Sequence, residues 1–197
     1  MTLYDLKPRF QALLRPYAER LAKAGVTANQ VTLAAAAGSL LVGLVLSELG
    51  WLRPVFLLLP VWLFLRMALN AIDGMLAREF GHKSRLGAYL NELGDVVSDA
   101  ALTLPFAFVR PFGPSSVILV IFLAVLSEYA GVMGPLAGAE RRYDGPLGKS
   151  DRALIFGGLG LWIGLLLPMP GWFFWLMPLL AILAAITVWN RVRQGLA

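Results

Sequence analysis

Residues 52–78 read LRPVFLLLPVWLFLRMALNAIDGMLAR, and the class of fold turns on this stretch. It is long enough to cross a bilayer, which takes about 20 mostly apolar residues, yet it carries Asn70 and Asp73 near its end. Working outward, residues 52–73 are the second of six apolar runs of near-spanning length, the others being 31–50, 88–109, 115–138, 153–168 and 172–190. Gly/Pro-rich or charged breaks separate them, at 50–54, 78–85, 110–114, 140–152 and 168–171. None is long enough for a second domain. The expected fold is an all-α integral membrane protein, a single domain over 1–197 with a six-helix bundle at 31–190.

Composition leads the same way. Of 197 residues 58% are hydrophobic, against roughly 45–50% for a soluble domain, and the mean hydropathy is +0.72. The absence of cysteine excludes a disulfide scaffold, a thiol nucleophile and a Cys-ligated metal, and one histidine leaves no His-rich metal site. The net charge of +5 is read as topology and lipid contact rather than as a nucleic-acid footprint.

Counting Lys and Arg by side sets the orientation. Lys7, Arg9, Arg15, Arg20 and Lys23 precede the first run, and Arg66, Arg78, Lys83 and Arg85 lie around the second-to-third junction. Arg141, Arg142, Lys149 and Arg152 follow the fourth run, and Arg191 and Arg193 the last. Only Arg53 and Arg110 fall on the other side, so both termini are expected in the cytoplasm. Phe10, Leu13, Leu14, Tyr17 and Leu21 recur at helical spacing among the N-terminal cations. Residues 2–24 therefore read as an amphipathic helix lying in the interface, with Pro8 in its first turn and a kink at Pro16. Trp51, Trp172, Trp175 and Trp189 read as interfacial anchors, and Pro60, Pro105, Pro135 and Pro178 as kinks within or near spans.

Carboxylates in or at the ends of apolar helices carry the functional signal, because desolvating them is costly unless they face a cavity, a metal or one another. Asp73, Asp95, Asp99 and Glu128 qualify. Asn70, Asp73 and Ala77 share one face of the second helix, and Asn91, Asp95 and Asp99 one face of the third. If those faces meet, their oxygens can surround hard cations, and an oxygen-only donor set suits magnesium or manganese rather than zinc or copper. Gly74 and Gly87 leave room for a ligand or a second helix beside them.

The segment from Asn70 to Asp95 resembles the signature of the CDP-alcohol phosphotransferases, D-x-x-D-G-x-x-A-R-x(8)-G-x-x-x-D-x-x-x-D. The spacing matches throughout and six of the eight positions are identical. The resemblance implies transfer of a phosphoalcohol group, typically phosphatidyl from CDP-diacylglycerol, to an acceptor hydroxyl with release of CMP at a bacterial cytoplasmic membrane. It implies that Asp73 ligates magnesium, that Gly74, Ala77 and Arg78 approach the cytidine and its phosphates, and that Gly87 keeps the third helix near the nucleotide. Asp95 takes the position of the general base, and a homodimer is implied as well.

The departures are Asn70 and Asn91, which replace two aspartates of the signature. The metal set is then Asn70, Asp73, Asn91 and Asp95, and with two formal charges lost, one tightly held cation balances better than two. Asp99, one turn beyond Asp95, and Glu128 are auxiliary carboxylates, and Asp99 is a second candidate for the base. Lys149 and Arg152 are the candidate contacts to the acceptor or to phosphate, while His82 reads as a solvated loop residue. Asn29 and Thr32 resemble a family stretch near the nucleotide, although capping of the first span explains Thr27 or Asn29 equally well. Two other functions compete: a catalytically silent CDP-lipid-binding relative, favoured by the two asparagines, and a proton- or cation-coupled transporter, which calls for polar residues spread across the membrane depth. The acceptor alcohol is not encoded in any motif.

Overall fold

The computed structural model describes residues 3–197, with side chains from Phe10 onward, so those of Lys7, Pro8 and Arg9 lie outside the described residues. Among the described residues every regular element is helical: α1 (Leu3–Lys23), α2 (Ala28–Leu49), α3 (Leu58–Glu79), α4 (Arg85–Thr103), α5 (Pro114–Val132), α6 (Lys149–Gly164) and α7 (Leu176–Gly195), with four short 3-10 turns between them.

Among the described residues four segments are long and apolar enough to cross a membrane: Ala28–Leu49, Arg53–Glu79, Pro114–Val132 and Gly171–Gly195. The third and fifth expected spans do not join them for two different reasons. α4 is broken up by Arg85, Glu92, Asp95 and Asp99, and α6 has only 16 residues, about 24 Å at 1.5 Å per residue.

Local chemistry sets the helix ends. Gly25, at φ +76°, closes α1 as its N–H bonds to Ala22 O and that of Val26 to Leu21 O. α2 opens on a reciprocal capping box, Thr27 N–H to Gln30 Oε1 (2.9 Å) and Gln30 N–H to Thr27 Oγ1 (3.3 Å). Ser84 Oγ accepts the Gly87 N–H at 2.9 Å at the start of α4. The prolines expected to kink spans sit instead at helix or 3-10 entries: Pro60 and Pro178 in the first turns of α3 and α7, Pro105 and Pro135 in 3-10 turns. A missing N–H costs nothing there. α1 continues as helix through Pro16.

The chain divides into two compact units, Met1–Leu40 with Val61–Ser98, and Leu41–Pro60 with Asp99–Ala197. In the first, Ala18 of α1, Ala28 and Val31 of α2, and Ile72, Met75 and Leu76 of α3 form a buried cluster flanked by Leu14, Leu21 and Leu69. Leu14, Ala18 and Leu21 thus use one edge of the amphipathic stripe, while Leu13 and Tyr17 stay exposed. In the second unit an aromatic run links Phe56, Phe106, Phe112, Phe156 and Phe173. Glycines let helices close there: a Cβ on Gly43 would strike the Ala101 carbonyl, and one on Gly164 the Leu57 side chain.

Candidate active site

Every residue of the signature falls in the first unit, on α3 and α4. Asn70 Nδ2 donates to Asp95 Oδ1 at 3.4 Å, so the two halves of the motif face each other. Asp73 is buried, and its Oδ2 accepts the Thr32 hydroxyl at 2.8 Å. Asn91 is half-buried on α4, one turn before Asp95.

The glycines act through close approach. The Arg78 guanidinium lies over Gly74, where a Cβ would come within 2.9 Å of Nη2. A Cβ on Gly87 would stand 2.7 Å from Asn29 Oδ1 and 3.0 Å from Ser84 Oγ. Asn29 is therefore not the cap of α2, a task that falls to Thr27 and Gln30; it reaches Ser84 instead, at 3.4 Å. Ala77 packs against the core cluster of this unit, and Arg78 itself is exposed. His82 bonds through its backbone to Leu76 O at 3.2 Å and is half-buried rather than solvated.

Arg66 escaped the sequence reading, which counted it as a topological cation. It is buried on α3, and its Nη2 lies 3.1 Å from Asp95 Oδ1 and 3.3 Å from the Asp95 backbone oxygen. Its spacing was the available signal, since Arg66, Asn70 and Asp73 stand at i, i+4 and i+7 on one face.

The second unit holds a separate ionic cluster. Glu128 is ringed by Arg152 (2.9 Å), Arg191 (3.4 Å) and Arg141 (3.7 Å), and Asp99 pairs with Arg152 at 2.8 Å. Asp99 is thus committed to Arg152 rather than standing as a spare carboxylate. Arg152 also donates to Leu147 O at 3.3 Å, and Arg191 to Ser127 O and Asp144 O. These bonds make buried charges tolerable, since an ion taken out of water needs both a counter-charge and hydrogen bonds. Lys149 opens α6 half-buried. In the loop ahead of it, Arg142 grips Asp144 through two bonds of 2.8 and 3.0 Å and holds that carboxyl below its usual value of 3.8.

Two helices that cross-link a D-G-x-x-A-R motif to a downstream aspartate inside an apolar chain define a class of membrane transferase. A model of the CDP-alcohol phosphatidyltransferase family matches residues 25–189, and the chain belongs to that family. Its reaction is the transfer of a phosphoalcohol group from a CDP-alcohol to an acceptor hydroxyl with release of CMP, in phospholipid synthesis. The chain is 50% identical to inner membrane protein YnbA of Escherichia coli over 195 residues, 98% of this chain and 94% of that protein. It is 28% identical to phosphatidylinositol phosphate synthase of Mycolicibacterium smegmatis, over 92% of this chain and 82% of the relative. The fold resembles crystal structures of the phosphatidylinositol phosphate synthase of Mycobacterium tuberculosis. With CDP-DAG bound the TM-score is 0.77 at 24% identity, covering 93% of this chain and 94% of that one. With manganese and citrate it is 0.75 at 24% identity, covering 92% and 88%.

Proposed function

We propose that the chain transfers the phosphatidyl group of CDP-diacylglycerol to an acceptor alcohol, using the first unit as its catalytic centre. The observation that carries this reading is the Asn70–Asp95 contact, which joins the two halves of the signature across α3 and α4. CDP-DAG in the related mycobacterial enzyme supports the choice of donor.

Among the described residues no three His, Cys, Asp or Glu side chains gather into a metal cluster. The donor set still fits a hard cation, because the amide oxygens of Asn70 and Asn91 and the carboxylates of Asp73 and Asp95 are all oxygen ligands. Manganese in a related structure supports magnesium or manganese there. A bound ion supplies positive charge against the pyrophosphate oxygens. Asp95 takes the proton of the acceptor hydroxyl as general base, its carboxylate aimed by Arg66 and Asn70. Gly74, Ala77, Arg78 and Gly87 receive the nucleotide, with the Arg78 guanidinium, lying over the bare backbone of Gly74, donating hydrogen bonds to its phosphates. Arg152, a candidate contact to the acceptor or to phosphate, is already held by two carboxylates of the second unit.

The membrane arrangement goes with this reading. α4 and α6 complete six crossings, and both termini lie in the cytoplasm of a bacterial inner membrane. α1 lies in the interface, Leu13 and Tyr17 reaching lipid.

The test is CMP release by the purified chain in nanodiscs with CDP-diacylglycerol, magnesium or manganese and a panel of acceptor alcohols. Acceptor-dependent release is expected, and Asp95→Asn is expected to cut it by about 100-fold or more, the usual share of a general base. Asn70 and Asn91 favour one rival, a silent relative that binds CDP-lipid without turning it over. Binding without CMP under every condition would establish that rival instead.

A further inference from the structure

Arg66 is the charged side chain that meets Asp95 in the first unit, and the signature does not account for it. Its side chain is 5% exposed, and it meets Asp95 at both the carboxylate and the backbone oxygen. A guanidinium stays protonated in a protein interior, so this positive charge is permanent. Asp73 and Asp95 are the charged donors beside it, while Asn70 and Asn91 are neutral. Arg66 and the donor set together therefore carry one net negative charge. Asp95 Oδ1 is also doubly engaged, by Arg66 at 3.1 Å and by Asn70 at 3.4 Å.

Resting on the reading above, we propose that Arg66 is a built-in cation that takes the place of a second divalent ion, so that the site holds a single ion on its Asp73 side. A second ion at Asp95 would compete with Arg66 for that carboxylate and weaken the pairing of a buried guanidinium. It would also stand beside that guanidinium in a partly desolvated site, where like charges repel strongly. The two asparagines and the buried arginine are then one coordinated change: two negative charges removed from the ligand set and one positive charge supplied from α3.

The experiment is a manganese titration of the purified full chain in nanodiscs, counting bound ions from the loss of the free Mn2+ electron paramagnetic resonance signal, with no substrate present. One ion per chain is expected. The triple variant Arg66→Gln, Asn70→Asp, Asn91→Asp is expected to bind two and to show the spin coupling of neighbouring manganese ions. Its folding is checked by its thermal transition, and the double variant Asn70→Asp, Asn91→Asp, which keeps Arg66, is expected to hold one ion still; two ions on that folded double variant overturn the role given to Arg66. Two ions on the unaltered chain overturn the inference and leave the proposed transferase standing. A single ion on a folded triple variant also overturns it. No ion on the unaltered chain overturns both the inference and the metal reading, and CMP release measured beside it shows whether the transferase survives without metal.

Discussion

At the scale of single residues, the first unit is built by contacts of a few atoms each. Thr32 supports Asp73, Arg66 and Asn70 hold Asp95, and Asn29 with Ser84 closes over Gly87. The last contact carries a prediction. Gly87→Ala puts a methyl 2.7 Å from Asn29 Oδ1, and the short Asn29 side chain has to move. The expected outcome is a raised KM for the CDP-lipid, with a stability loss of only about 1 kcal/mol, in the range of mild overpacking. Steady-state kinetics alongside a thermal melt separate the two effects. Asp73, Gly74, Arg78, Gly87 and Asp95 were legible beforehand because their types and spacing are set along one or two helices. Arg66 was not: counted with the cations of the nearby junction, it reads as a topological charge until its partner on another helix is known.

At the scale of elements, the segment between α5 and α6 is tied down by α7. Thr187 Oγ1 accepts the buried Leu147 N–H at 3.0 Å and donates to Leu183 O, and Gly145, at φ +137°, lets the loop pass against Thr187. Thr187→Val keeps the shape and leaves the Leu147 N–H without its acceptor. The expected cost is about 1–3 kcal/mol, read as a lowered thermal transition. The same loop has a pH dependence of known sign. Arg142 lowers the Asp144 carboxyl in the folded state below 3.8, so the pair stabilises the fold above that value. Its contribution fades as the pH falls through the lowered value. In Asp144→Asn that acid-side loss of stability is expected to be smaller, by hydrogen exchange across the loop between neutral pH and pH 3. Helix ends are where sequence and structure parted most: expected mid-span kinks became helix entries, because proline is cheapest where no N–H is needed.

For the whole molecule, the testable property is topology. The chain contains no cysteine, so single cysteines report cleanly. Ser150→Cys and Arg193→Cys are expected to react with a membrane-impermeant maleimide only from the cytoplasmic side. Arg53→Cys and Arg110→Cys are expected to react only from the opposite side. Labelling of intact cells against inverted vesicles makes the comparison, and the reverse pattern would overturn the proposed orientation.

The sequence by itself determined that the chain is helical, apolar enough for a membrane, and a carrier of the transferase signature. These properties depend on composition, apolar run length and spacing along the helix, all of which are local. Pairing was decided only by the tertiary structure. It sent Arg66 to Asp95, gathered Arg141, Arg152 and Arg191 around Glu128, and set Asp99 against Arg152 rather than leaving it spare. The physical reason is that a buried charge is tolerable only with its counter-charge and hydrogen bonds in place, and those partners lie on other elements, whose facing no local pattern specifies.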